Sequence, residues 1–132
     1  MFSKLQSLMN SQAETSEDHS NPLLRTHYFK GSKEAIIAYL AEIVKEDKNY
    51  RALGDSAERG EITFDILYPK KAFAVITAVT FQGRHTAVDI NVTAESALPF
   101  QYAHCERMAV TIYQLLKEKF ELIGTGLAEN YQ

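Results

Sequence analysis

Two features of the sequence predict an α+β protein, a two-layer sandwich of one antiparallel sheet with two helices on one face. The first is residues 61–93, where ITFDILY, AFAVITAVTF and TAVDINVT follow one another, separated only by PKK and QGRH. Alternation of apolar and polar residues marks the outer two as half-buried strands, and the nearly continuous apolar character of the middle one makes it central. The second is a pair of amphipathic segments, near residues 33–47 and 100–122. Each has a single apolar stripe, and both stripes can be buried against the same side of a sheet. The expected order is β-α-β-β-β-β-α.

Taken in order, residues 1–24 form an amphipathic turn followed by a polar tether. Phe2, Leu5, Leu8 and Met9 share a helical face, but Ser11 to Asn21 hold nothing apolar larger than Ala13 and cannot offset their own ordering entropy. The single folded domain is expected over residues 25–123. RTHYFK (25–30) suits a strand, Gly31 turns the chain, and Ser32 is a suitable N-cap with Glu34 in the first helical turn. Ile36, Ile37, Leu40, Ile43 and Val44 form the stripe of that helix, which closes at Asp47-Lys48-Asn49. Tyr50–Leu53 reads as a short strand or as the start of a loop that runs through Gly60. Ile62, Phe64, Ile66 and Tyr68 then face one way and Thr63, Asp65 and Leu67 the other. Pro69 suits the second position of a tight turn. Gln82–His85 reads as a hairpin loop, and Phe73, Val75, Val79 and Phe81 are expected on the helix side of the middle strand. Ala74, Ile76 and Ala78 are then left on the open side. Cys105, Met108, Ala109, Ile112, Leu115, Leu116 and Phe120 line the last helix, and residues 124–132 read as a flexible tail.

The strand Arg25-Thr26-His27-Tyr28-Phe29-Lys30, the turn Glu58-Arg59-Gly60-Glu61-Ile62, and the segments Arg84 to Asp89 and Ser96 to Phe100 resemble a group of small, uncharacterised bacterial cytosolic proteins. The resemblance spans about residues 25–122. It implies a two-layer sandwich like that of the TATA-binding protein and brings no known activity, since fold analogy licenses no function. The DNA binding of that archetype does not follow, because the basic, wedge-inserting surface it requires is missing from this sequence.

Composition narrows the function classes. The chain has 132 residues, one domain's worth, with a net charge of -3 and its 14 basic residues scattered among 17 acidic ones. That distribution offers no footprint for nucleic acid. No stretch approaches the roughly 18–20 apolar residues of a membrane span. The N-terminus lacks the parts of a signal peptide, so the expected compartment is the cytoplasm. A lone cysteine, Cys105, fits a reducing environment, and the sequon Asn91-Val92-Thr93 falls inside a strand and reads as a chance match.

No motif carries an evident chemistry. His19, His27, His85 and His104 show no metal-ligand spacing. His104 and Cys105 point about 100° apart on a helix, so this histidine is not placed to activate this thiol. Asp65 and Asp89 share a face, but a strand between them separates them by about 10 Å. No catalytic residue, metal site or cofactor is therefore assigned. The first functional expectation is a non-enzymatic interaction module that pairs with itself, as a homodimer, or with another protein. Its contact face would comprise Ala74, Ile76, Ala78 and Leu67, with Phe2 and Leu5 of the N-terminal segment. The second is a small-molecule binder or enzyme with a pocket between the sheet and the last helix, rimmed by His27, Tyr28, Tyr102 and His104.

Overall fold

Hairpin geometry sets the sheet. In the computed structural model, which describes residues 12–95 and 101–126, the turn between the two longest strands has three residues, Gln82, Gly83 and Arg84, and pairs Phe81 with His85. Gln82 and Gly83 both take positive φ, 44° and 68°. The described elements are β1 (Gln12–Glu14), a 3-10 turn (Pro22–Leu24), β2 (His27–Lys30), α1 (Lys33–Glu46), β3 (Tyr50–Ser56), β4 (Glu61–Ile66), β5 (Ala72–Phe81), β6 (His85–Ala94), α2 (Tyr102–Lys117) and β7 (Glu121–Thr125). All strands pair antiparallel in the order β3-β4-β5-β6-β2-β7, and β1 also pairs with β6. The class is the expected α+β two-layer sandwich, with two helices and a seven-stranded sheet.

Local rules account for α1. The Ser32 hydroxyl accepts the Ala35 N–H at 3.0 Å, Glu34 sits in the first turn, and Lys45 sits in the last. Ile36, Ile37, Leu40 and Val44 are buried on the sheet side. This helix packs on β3, β4 and β5, whereas α2 packs on β6, β1 and the 3-10 turn. Beneath them, Ile62, Phe64 and Ile66 of β4, Ala72, Ala74 and Ile76 of β5, and Val88, Ile90 and Val92 of β6 are each at most 2% exposed. The turn into β4 brings Gly60 against β5. Gly60 has φ +71°, and a Cβ there would lie 2.1 Å from the Ala78 carbonyl oxygen, so only glycine fits.

The faces of β5 are the reverse of the expectation. Ala74, Ile76 and Ala78, expected on the open side, are 0, 0 and 2% exposed beneath the helices, while Phe73 and Val79 are 39 and 63% exposed on the open side. The cause is one residue of hairpin loop. A four-residue loop through His85 would set Val79 opposite Val88, whereas the three-residue loop sets Ala78 there. A slip of one residue inverts every side chain of the strand. Leu67, also expected on the open contact face, is half-buried just beyond the end of β4.

Residues 12–24 and 121–125 form more regular structure than the composition implies. Residues 12–24, read as a tether, supply a strand and a capped turn in which Asn21 Oδ1 accepts the Leu23 N–H. Gln12, Ala13, Glu14 and Thr15 alternate exposed and buried, with Ala13 wholly inside. The last helix stops at Lys117 rather than near residue 122, and β7 takes up the second edge of β2. The backbone groups on that edge need partners, which Leu122, Ile123 and Thr125 bring as strand formers. Tyr50–Leu53 does belong to the sheet, in a strand that continues to Ser56. Phe2 and Leu5 lie outside the described residues. No helix among those described is long and apolar enough to cross a membrane.

The face assignment has a direct thermodynamic consequence. Ile76→Ala, wholly buried, is expected to lower unfolding free energy by about 2–5 kcal/mol, while Val79→Ala costs below about 0.5 kcal/mol. Urea denaturation of the two variants measures both, and equal losses would return β5 to the opposite orientation.

Candidate functional site

The pattern of side chains on the open face follows from strand register. Residues directly opposite in antiparallel strands share a face, which sorts this one into rows. Asp65, Phe73, Thr93 and Gln12 make one row, and Thr63, Val75, Asn91 and Glu14 the next. Glu61, Thr77 and Asp89 make the third, followed by Val79, Ala87 and Tyr28. Along β5 the row therefore reads Phe73, Val75, Thr77, Val79, Phe81, and neither described helix lies over it. Tyr28, at the β2 end of the fourth row, contacts Phe81 edge to face with ring centroids 5.1 Å apart.

Beside the apolar row lies a concavity of about 370 Å³, lined by Glu14, Thr15, Val75, Thr77, Asp89, Ile90 and Asn91. It sits where β6 changes partner. Residues 85–88 of β6 pair with β2 and residues 91–93 with β1, so β1 and β2 lie end to end along one edge. The ten residues between Thr15 and Thr26 leave the sheet and return, a compact loop whose ends meet. Side chains close the junction. The Thr15 and Thr26 hydroxyls both donate to Asp89 Oδ1, at 2.7 and 2.6 Å. Thr15 Oγ1 also accepts the Ile90 N–H at 2.9 Å, and the Thr15 N–H donates to the Ile90 carbonyl at 2.9 Å. From the helix side, the Tyr113 hydroxyl donates to the Val88 carbonyl at 2.7 Å. Burial pushes that hydroxyl well above the normal phenol range, so it stays a donor.

The loop is fastened at its base. Ser16 bridges Arg25, the Arg25 Nε–H donates to the His19 carbonyl at 2.9 Å, and Leu24 is fully buried. Tyr28 donates to Glu17 Oε2 at 2.5 Å, while Glu17 Oε1 is buried without a hydrogen-bond partner. Gly126, at φ +76°, passes so close that a Cβ would lie 2.7 Å from the Glu17 carbonyl oxygen.

The four residues expected to rim a helix-side pocket do not come together. His27 and Tyr28 point to opposite faces of the sheet, and none of the four lines the concavity. His27 is 2% exposed, stacks on Tyr113 with ring centroids 3.5 Å apart, and places Nδ1 2.7 Å from the Arg25 carbonyl. Because a carbonyl only accepts, Nδ1 carries the proton. Burial lowers the His27 pKa to about 4 against the favourable pull of that hydrogen bond. His104 is buried nine residues earlier on α2, with Nε2 3.3 Å from the Lys70 carbonyl, and burial lowers its pKa too. Tyr102 is half-buried at the start of the same helix.

Other candidates occupy structural positions. Cys105 is fully buried, and burial raises its thiol pKa, which holds it as an unreactive thiol. Asp65 and Asp89 do share the open face, but they are four residues out of register, about 13 Å along the strands as well as about 10 Å across. Asp65 is occupied by Arg51, whose Nε and Nη2 both reach Oδ2. No group of three His, Cys, Asp or Glu among the described residues is placed to hold a metal ion. No protein-family model, curated protein or solved structure matches this chain.

Two outcomes test this description. Thr26→Val removes one of the two donors to Asp89 Oδ1 and should cost about 1–3 kcal/mol in urea denaturation. With Thr15→Val added, the sum should be non-additive because both hydroxyls serve one oxygen. The His27 shift sets an acid limit. Its folded pKa lies below the unfolded value of 6.5, so the unfolded chain takes up the proton first. The neutral ring's contribution is therefore intact above about pH 6.5 and is lost as pH falls toward 4, by about 3 kcal/mol. His27→Phe should flatten the stability profile over that window.

Proposed function

We propose that this chain is a binding module that engages a protein partner through the open face of its sheet. The observation that carries the reading is the apolar row on the central strand that no described helix covers, where Phe73 is 39% and Val79 63% exposed beside the half-buried Val75 and Phe81. A sheet face that meets only water alternates with polar side chains, and contiguous apolar patches on a protein surface mark interaction sites. The adjoining concavity supports the same reading, because it adds polar groups able to fix the orientation of whatever covers the row.

A site-specific photo-crosslinker separates this face from the rest of the surface. Placed at Val79 of the full chain in its native cells, it should give one adduct of discrete mass. Placed at Glu42, on the solvent side of α1, it should give none. Equal adducts at the two positions, or none at either, would rule out the open face as the working surface.

A further inference from the structure

The charges on this face identify the kind of partner, an inference that rests on the open-face reading. The second and third rows carry three carboxylates, Glu14, Glu61 and Asp89, and no basic side chain. Two of them, Glu14 and Asp89, line the concavity, whose other polar groups are Asn91, Thr77 and Thr15. The basic residues of the face lie elsewhere. Arg51 is bound to Asp65, and Lys30 is two rows beyond Asp89 along β6. A half-buried carboxylate beside an apolar row is costly to cover unless the incoming surface brings a cation.

The same charges weigh against a second copy of the chain. The row Phe73, Val75, Thr77, Val79, Phe81 has large residues at both ends and is symmetric about Thr77, as a two-fold contact would need. Two of the two-fold axes that can relate sheets stacked face to face run along β5 and across it. Centred on Thr77, the first sets Asp89 over Glu61 and the second sets Asp89 over Asp89. Each brings like charges together in a desolvated contact, which specific interfaces avoid.

We infer that the open face takes a basic amphipathic segment of a partner protein, with a lysine or arginine entering the Glu14/Asp89 concavity and apolar side chains lying along Phe73, Val75 and Val79. The cation supplies the charge that the concavity lacks, and the aliphatic stem of the basic residue lies against Val75. Affinity then comes from the apolar row and selectivity from the carboxylates.

Fluorescence anisotropy on the full chain tests this with two labelled amphipathic peptides that share one leucine pattern and differ only in carrying lysine or glutamate. The lysine peptide should bind at least about tenfold more tightly, and the difference should shrink between about 50 mM and about 300 mM salt. Glu14→Gln with Glu61→Gln, both exposed positions outside the Asp89 network, should erase most of that preference without changing the melting temperature. Val79→Ser should weaken both peptides. Equal binding of the two peptides that still depends on Val79 overturns the charge assignment and leaves the open-face reading standing. Binding of neither, or binding indifferent to all three substitutions, overturns both. Residues 1–11 of the chain itself carry Lys4 among Phe2, Leu5 and Leu8. A zero-length crosslink from Lys4 to Glu14 within one chain would give the face to that segment and overturn the assignment to an outside partner.

Discussion

The fold depends on two strands sharing one edge of β6. An unpaired stretch of backbone at Asp89 and Ile90 would be left in the middle of the sheet, so the junction must be closed chemically. Thr15 and Thr26 do this from the two strand ends, Asp89 gathers both hydroxyls, and Tyr113 reaches through from α2 to the Val88 carbonyl. One network therefore ties together the sheet, the helical layer and the loop 16–25. It also shapes the open face, because the concavity lies at the place where β6 passes from one partner to the other.

Putting β1 on that edge turns an apparently dispensable polar segment into part of the core layer. Ala13 is fully buried opposite Val92, which lies between it and Ala74 of β5 in one row on the helix side. It also adds Glu14 to the second row, so the same three-residue strand that completes the sheet contributes to its negative charge. Two histidines that looked like functional candidates are instead core residues. His27 is held neutral between Tyr113 and a backbone carbonyl, and His104 is held against the Lys70 carbonyl.

The layer architecture, α1 with its cap, and strands β4 to β6 were legible because each rests on a strong local signal: period 2, period 3.6, or a capping hydroxyl. The candidate site was legible only in part. An over-apolar central strand was evident, but the choice of outward side turned on whether His85 belongs to the loop or the ladder, a single residue that no periodicity decides when both sides of a strand are apolar. Hairpin arithmetic with a three-residue loop would have placed Ala78 with Val88. β1 and β7 escaped notice for different reasons. Gln12 to Thr15 alternates in burial but has only Ala and Thr to put inside, and Glu121 to Thr125 is split between the end of the expected helix and the start of the expected tail.

β5 turns Phe73, Val75 and Val79 outward and Ala74, Ile76 and Ala78 inward, and the partner surface we propose is the side away from the helices. A methyl-resolved NMR spectrum of the full chain, recorded with a soluble paramagnetic agent, distinguishes the two orientations. Strong broadening of the Val79 methyls, partial broadening of Val75, and sharp signals from Ile62, Ile76 and Ile90 are expected. A broadened Ile76 beside a sharp Val79 would contradict this orientation of β5.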